Sequence, residues 1–249
     1  MTELGLWDRL GIRLVRMLWN RNHHIVLEAI GPPLKQGLTL SDLFEDMPAC
    51  GTRPGFEHLG GLFSSNSLNH GVIGMPIRQA AYLFRLVREN GMRRVLEIGR
   101  HRGGSTTLLG VAMGPEGKLW SIDNGEKEER LTKRINRFDS EIEGVLSRFG
   151  LQATLIVGDS KVVEFQKEDL DLLLIDGDHS YEGVKSDLLR FGSRLRVGGA
   201  LVFDDACPDK FFPSHTESVG RLIDEILPAG QYKLIRYVDR LAHLEKVTA

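Results

Sequence analysis

Cysteine is nearly absent from this chain: Cys50 and Cys207 are the only two. They lie far apart and in no CxxC or Cys/His cluster, which excludes a disulfide framework and a thiolate metal site. A reducing, cytoplasmic setting is expected. Long apolar runs are lacking as well. No stretch is long enough to cross a bilayer, and Arg9, Arg13 and Arg16 interrupt the N-terminal segment where a secretory signal needs its apolar core. Export is therefore not expected. Neither sign of charge dominates: 32 Lys and Arg against 34 Asp and Glu leave a formal net charge of -2, so no whole-chain field points to nucleic acid or to an anionic membrane. What remains is the composition of an ordinary soluble protein. With 249 residues, 41% of them hydrophobic, the chain can bury one sizeable domain plus an appendage.

From Leu4 to Leu18 the residues Leu4, Trp7, Leu10, Leu14 and Leu18 recur at helical spacing with arginines between them. This predicts a basic amphipathic helix, suited to packing on its own domain or to homodimer formation more than to membrane contact. Between Gly31 and Gly74, glycine and proline punctuate the sequence, which reads as loops and short turns. Residues 1–75 are accordingly taken as an N-terminal helical and loop appendage that caps the substrate side, and residues 76–249 as the main domain.

In that domain helical and strand periodicities alternate, the pattern of a parallel sheet with helices on both faces. Helices are expected over Ile77–Glu89, from Ser105, over Lys127–Arg148, over Tyr181–Arg196 and over Val219–Leu227. Strands are expected over Arg94–Ile98, Lys118–Ile122, Ala153–Val157, Asp171–Ile175 and Ala200–Phe203. Tyr232–Tyr237 and Leu241–Val247 are also strand-like, but the link between them is too short for a parallel crossover, so they form an antiparallel hairpin. The fold class is α/β: a doubly wound, Rossmann-like sheet closed by a C-terminal antiparallel hairpin. The common dinucleotide-binding sheet is parallel throughout.

Gly99, Gly103 and Gly104 occupy the turn after the first strand, at the carboxyl edge where such sheets bind ligands, and Ser105 opens the helix behind them. Positive φ alone accounts for one or two of these glycines, not for three beside an acid. That acid, Glu97, would repel a pyrophosphate, whereas S-adenosylmethionine (SAM) carries an ammonium and a sulfonium that a carboxylate favours, directly or through water. The Gly-x-x-x-Gly-Gly spacing also departs from the dinucleotide pattern. Asp123, ending the second strand, is placed to accept from both ribose hydroxyls, and Asp159, ending the third, from the adenine amino group. Ser160 is expected to N-cap a helix.

The runs Glu97-Ile98-Gly99, Gly103-Gly104-Ser105-Thr106, Asp159-Ser160 and Ile175-Asp176-Gly177-Asp178-His179-Ser180-Tyr181-Glu182-Gly183-Val184 resemble the SAM-dependent methyltransferase family called methyltransferase type 24. The resemblance covers about Arg94 to Asp205 and implies the class I methyltransferase fold. Asp176 closes the fourth strand, and Asp204 and Asp205 close the fifth, so three carboxylates converge where the SAM methyl would sit. Oxygen ligation favours a hard ion, Mg²⁺ or another divalent cation. The trio also matches, position by position, the acids that hold such an ion in metal-dependent O-methyltransferases.

The reaction expected is methylation of a hydroxylated small molecule or glycoside, with Asp176 at the catalytic centre and His179 as general base. Asp178 is a rival for base or metal duty. A nicotinamide-dependent oxidoreductase and a non-catalytic SAM-binding module are the alternatives. Glu97 and the hairpin count against the first, the acidic trio against the second.

Overall fold

The computed structural model describes residues 54–63, 73–125, 137–165, 169–206 and 213–248. The amphipathic helix expected over Leu4–Leu18, and the dimer contact expected through it, lie outside these residues. Helix α1 (Ile77–Glu89) buries Ala80, Leu83, Phe84 and Val87, a spacing that keeps one face apolar over two turns. It stops at Gly91, which takes φ 60° while the Met92 N–H reaches back to the Val87 carbonyl at 3.0 Å. Strand β1 (Arg94–Ile98) is then buried without alternation from Val95 to Ile98, Glu97 included, as a strand covered on both faces requires. The order continues through α2 (Gly104–Met113), β2 (Lys118–Asp123), α3 (Arg137–Arg148), β3 (Thr154–Val157), β4 (Leu170–Ile175) and α4 (Tyr181–Phe191). It ends with β5 (Leu195–Phe203), α5 (Pro213–Ile226), β6 (Tyr232–Val238) and β7 (Leu241–Lys246).

The strands lie in the order β3-β2-β1-β4-β5-β7-β6. Strands β1 to β5 are parallel. Strand β7 runs antiparallel to β5, with Phe203 opposite Ala242, and antiparallel to β6 as well. The expected hairpin is present, and its second strand inserts between β5 and the first. Strand order reverses between β1 and β4, so the helices leaving these two strands go to opposite faces and a crevice opens at their carboxyl ends.

Alternate residues of each strand feed two cores. Val95, Leu172 and Leu174 face α1, α2 and α3, whereas Leu96, Leu173 and Ile175 face α4 and α5. Before Pro76, Leu59, Leu62 and Ile73 are wholly buried in the first of these cores, and Arg88 donates to the Pro54 carbonyl at 2.6 Å. No helix among the described residues is long and apolar enough to cross a membrane.

Several boundaries differ from expectation. The helix expected over Tyr181–Arg196 ends at Phe191, and β5 begins at Leu195 rather than Ala200. Leu195 pairs with Leu170, and Arg196 Nε donates to Asp171 Oδ1 at 2.7 Å. The other oxygen of Asp171 accepts the Arg93 and Arg94 N–H groups at 2.9 Å each. These are contacts between separate strands, which outweigh local helical periodicity. The helix expected from Val219 starts at Pro213. Of the long polar helix, Arg137–Arg148 is helical and residues 127–136 lie outside the described residues.

Asp187 is buried on α4, where its Oδ1 accepts from Ser160 Oγ at 2.6 Å. Burial pushes its carboxyl up to about 6, with Ser160 and Lys161 pulling the other way. Its folded pKa thus exceeds the unfolded one, and the folded chain binds the extra proton between them. Stability should therefore fall as pH rises from about 4 through about 6. Asp187→Asn cannot ionise, so at pH 7.5 it should be more stable than the wild type by on the order of 2 kcal/mol, seen as a higher melting temperature. The difference should shrink towards pH 4.5 in thermal melts. Parallel profiles for the two proteins would show that Asp187 is not held protonated.

Candidate active site

The carboxyl ends of β1, β2, β3, β4 and β5 line one cleft of about 880 Å³, large enough for a nucleoside cofactor with a small acceptor. It brings together Gly99, Gly104, Ser105, Asp123, Asp159, Asp176, Asp178, His179, Asp204 and Asp205. Glu97 and Gly103 lie behind this lining. Arg100 and Arg240 are also on it, and neither was singled out from the sequence.

Two of the three glycines are required by the backbone itself. Gly99 takes φ 87° between two strand tips, and a Cβ there would stand 2.1 Å from the Asp176 carbonyl oxygen. Gly103 takes φ 76° as the N-cap of α2, where a Cβ would meet the Ile142 side chain at 2.3 Å. Gly103 supplies no side-chain cap, so the first N–H groups of α2, from Gly104 and Ser105 on, open towards the cleft.

Glu97 is fully buried. Its Oε2 accepts from Thr106 Oγ1 at 2.5 Å and from Ser121 Oγ at 2.6 Å, while Oε1 is closed off without a partner. Burial drives its carboxyl well above the usual range, with the surrounding hydroxyls and Arg100 opposing. Glu97 thus braces the turn from behind. Asp123 braces it from the side: Oδ2 accepts the Arg100 and His101 N–H groups at 2.9 Å each, and Oδ1 accepts the Gly125 N–H at 2.7 Å.

The Arg100 side chain enters the protein rather than solvent. Nε and Nη2 donate to Asp139 at 2.9 and 2.8 Å, and Nη1 donates to the carbonyls of Ser121 at 3.1 Å and Ile156 at 3.0 Å. One guanidinium thereby ties the glycine turn to β2, β3 and α3. The only signal in the sequence is an arginine inside a glycine turn, and nothing local pairs it with Asp139.

Asp159 lies on the cleft with Oδ1 accepting the Lys161 N–H at 2.8 Å. The helix expected after it is absent: Ser160–Val162 form a turn. The Ser160 hydroxyl, expected to cap that helix, donates to Asp187 because a buried carboxylate stands within reach.

On the other side of the crevice, Ser180 caps α4, its Oγ accepting the Gly183 N–H at 3.1 Å. Asp178 is drawn towards this cap, with Oδ1 accepting the Ser180 N–H at 3.0 Å and Oδ2 3.5 Å from Lys161 Nζ. Its burial would raise the carboxyl, but Ser180 and Lys161 outweigh that and hold it below the usual range. His179 points the other way. Its Nε2 lies 3.6 Å from Asp176 Oδ1 and 3.8 Å from Asp205 Oδ2, and the side chain is only 12% exposed.

The acidic trio does not assemble as a ligand set. Among the described residues no three His, Cys, Asp or Glu side chains gather so as to hold a metal ion. Asp205 Oδ1 instead meets Arg240 Nη1 at 2.5 Å. Asp204 Oδ1 is closed off from solvent without a hydrogen-bond partner. Burial, then the neighbouring Asp205, pushes the Asp204 carboxyl up, with Arg240 opposing. The expected common metal site at Asp176, Asp204 and Asp205 is thus not supported by the geometry, because a side chain of the protein already neutralises one of its acids.

Comparison with known proteins agrees with this architecture. Residues 96–206 match the family described as a methyltransferase domain. An uncharacterized protein, R132, of Acanthamoeba polyphaga mimivirus is 26% identical over 147 residues, 57% of this chain. The chain spans 64% of that relative's length. Among solved structures, the O-methyltransferase TomG from Streptomyces achromogenes, in complex with SAM, superposes with a TM-score of 0.52 at 20% identity, over 71% of this chain and 82% of that one. The O-methyltransferase NovP gives 0.55 at 16% identity over 72% and 84%. The O-methyltransferase from Bacillus cereus, in complex with SAH, gives 0.52 at 16% identity over 89% and 96%. At such identities the likeness is one of fold. The match over 96–206 spans the glycine turn, Asp123, His179 and both acidic strand ends, and the fold built around these residues is the one shared with the O-methyltransferase structures.

Proposed function

We propose that the protein transfers a methyl group from SAM to a hydroxyl of a small molecule, a glycoside included. The observation that carries this reading is the placement of His179 between two carboxylates, in the same cleft as the glycine turn. Bound SAM would supply a sulfonium methyl that an acceptor oxygen can take by in-line displacement. The N–H groups opening α2 favour its carboxylate end. Beside the three N–H groups it accepts, Asp123 keeps one of its roughly four acceptor positions, which suits it to a ribose hydroxyl. Asp159 suits the adenine amino group. Glu97 acts through the turn it braces.

His179 takes the acceptor proton. Asp176 and Asp205 flank its Nε2, so the imidazolium that forms is stabilised where it appears. Asp178 is committed to the α4 cap and Lys161, and we assign it no proton transfer. No step is assigned to a divalent ion, since Arg240 engages Asp205. The proposal includes a cytoplasmic setting, on the ground that two isolated cysteines form no disulfide framework.

Calorimetric titration should show SAM binding to the wild type and no comparable binding of NAD. Asp123→Ala should weaken SAM about 10- to 100-fold, through lost ribose bonds and a loosened turn. Unchanged affinity would sink that assignment. With a panel of hydroxylated acceptors and labelled SAM, His179→Ala should slow transfer about 10²- to 10⁴-fold while SAM affinity stays near wild type. A His179→Ala enzyme that keeps full rate on an acceptor the wild type methylates would remove His179 from the chemistry.

A further inference from the structure

Arg240 comes from the last hairpin, far in sequence from the strand tips it serves. Its place is set by register. Phe203 of β5 faces Ala242 of β7, which brings the turn before Leu241 alongside the residues that follow β5. The Ala206 N–H donates to the Arg240 carbonyl at 2.6 Å, fastening the backbone there. Asp205 takes φ 52°, a conformation an aspartate rarely adopts, and its carboxylate meets the Arg240 guanidinium. Both side chains are largely shielded, at 25% and 13% exposed, so the pair is screened less than a surface ion pair.

The cleft thus holds a file of alternating groups: Arg240, Asp205, His179 and Asp176, with Asp204 beside it. Three aspartates end neighbouring strands on this wall of the cleft, and carboxylates brought close together are relieved by a cation or by a proton. Asp205 is already paired at Oδ1 with this guanidinium, and a divalent ion beside a fixed guanidinium meets like-charge repulsion.

We propose that Arg240 is the resident cation of this active site, standing in for the divalent ion that the three aspartates would otherwise call for. It holds Asp205 so that the second oxygen faces His179, and its charge favours an acceptor oxygen that is losing its proton. Methyl transfer then needs no added metal. This rests on the methyl-transfer reading above, but its test requires neither SAM nor an acceptor.

The test is titration of the full-length protein with Mn²⁺, followed by electron paramagnetic resonance and by thermal melts, with Mg²⁺ as a second ion. Wild-type protein should show no stoichiometric binding and no shift in melting temperature. Arg240→Ala and Arg240→Met release the carboxylates. At least one of them, folded by circular dichroism, should bind one Mn²⁺ and gain about 3–10 °C at saturation. Adding Asp205→Ala should abolish that gain. The proposal is overturned if the wild type binds Mn²⁺ stoichiometrically and Asp205→Ala removes it. It is also overturned if both folded Arg240 variants gain no ion. Either failure leaves SAM binding by the wild type as a separate measurement, so the methyl-transfer reading stands or falls on its own.

Discussion

Gly99 and Asp176 touch backbone to backbone, and the cleft is arranged around that contact. The Gly99 N–H donates to the Ile122 carbonyl at 2.8 Å, and the Asp176 N–H donates to the Ile98 carbonyl at 2.8 Å. Three adjacent strands are therefore still paired at the level where their chains turn away. A side chain at position 99 would collide with the Asp176 carbonyl and split β1 from β4. Because strand order reverses at that seam, the glycine turn and Asp176 leave from neighbouring points. Their separation is set by sheet geometry rather than by loop conformation.

Buried polar groups then make the turn rigid. Glu97 behind it, Asp123 beside it and Arg100 through it each satisfy groups from a different strand or helix. Burying such groups is costly unless they are hydrogen-bonded; Glu97 is met by two hydroxyls, and Asp123 and Arg100 each engage backbone groups. The Glu97 carboxylate contributes without reaching the cleft surface, which separates the role of an acid in a motif from direct contact with a ligand.

The opposite wall is governed by charge balance. Asp176, Asp204 and Asp205 arrive together because parallel strands end together, and Arg240 pairs with Asp205 on one side while His179 stands between Asp176 and Asp205 on the other. The antiparallel β7 therefore does more than complete the sheet. By lying against β5 it delivers an arginine to the strand tips, a placement that a parallel sixth strand, with its turn at the other end, would not give.

The amino-acid sequence by itself determined the alternation of helices and strands from Pro76 onwards, the hairpin at the end, the glycine turn and the acids at the strand ends. Those signals are local: apolar periodicity, glycine where φ is positive, and a link too short for a crossover. Only the tertiary structure decided what the polar groups do to one another. Arg100 finds Asp139 and Ser160 finds Asp187 across 39 and 27 residues, and β5 starts early because Leu195 and Arg196 meet β4. Asp178 turns to a helix cap while its neighbour His179 turns to the cleft. The aspartates that read as metal ligands in sequence are claimed in part by Arg240, whose position depends on the register of a strand pair. Electrostatic pairing depends on distance in space, and sequence patterns report only distance along the chain.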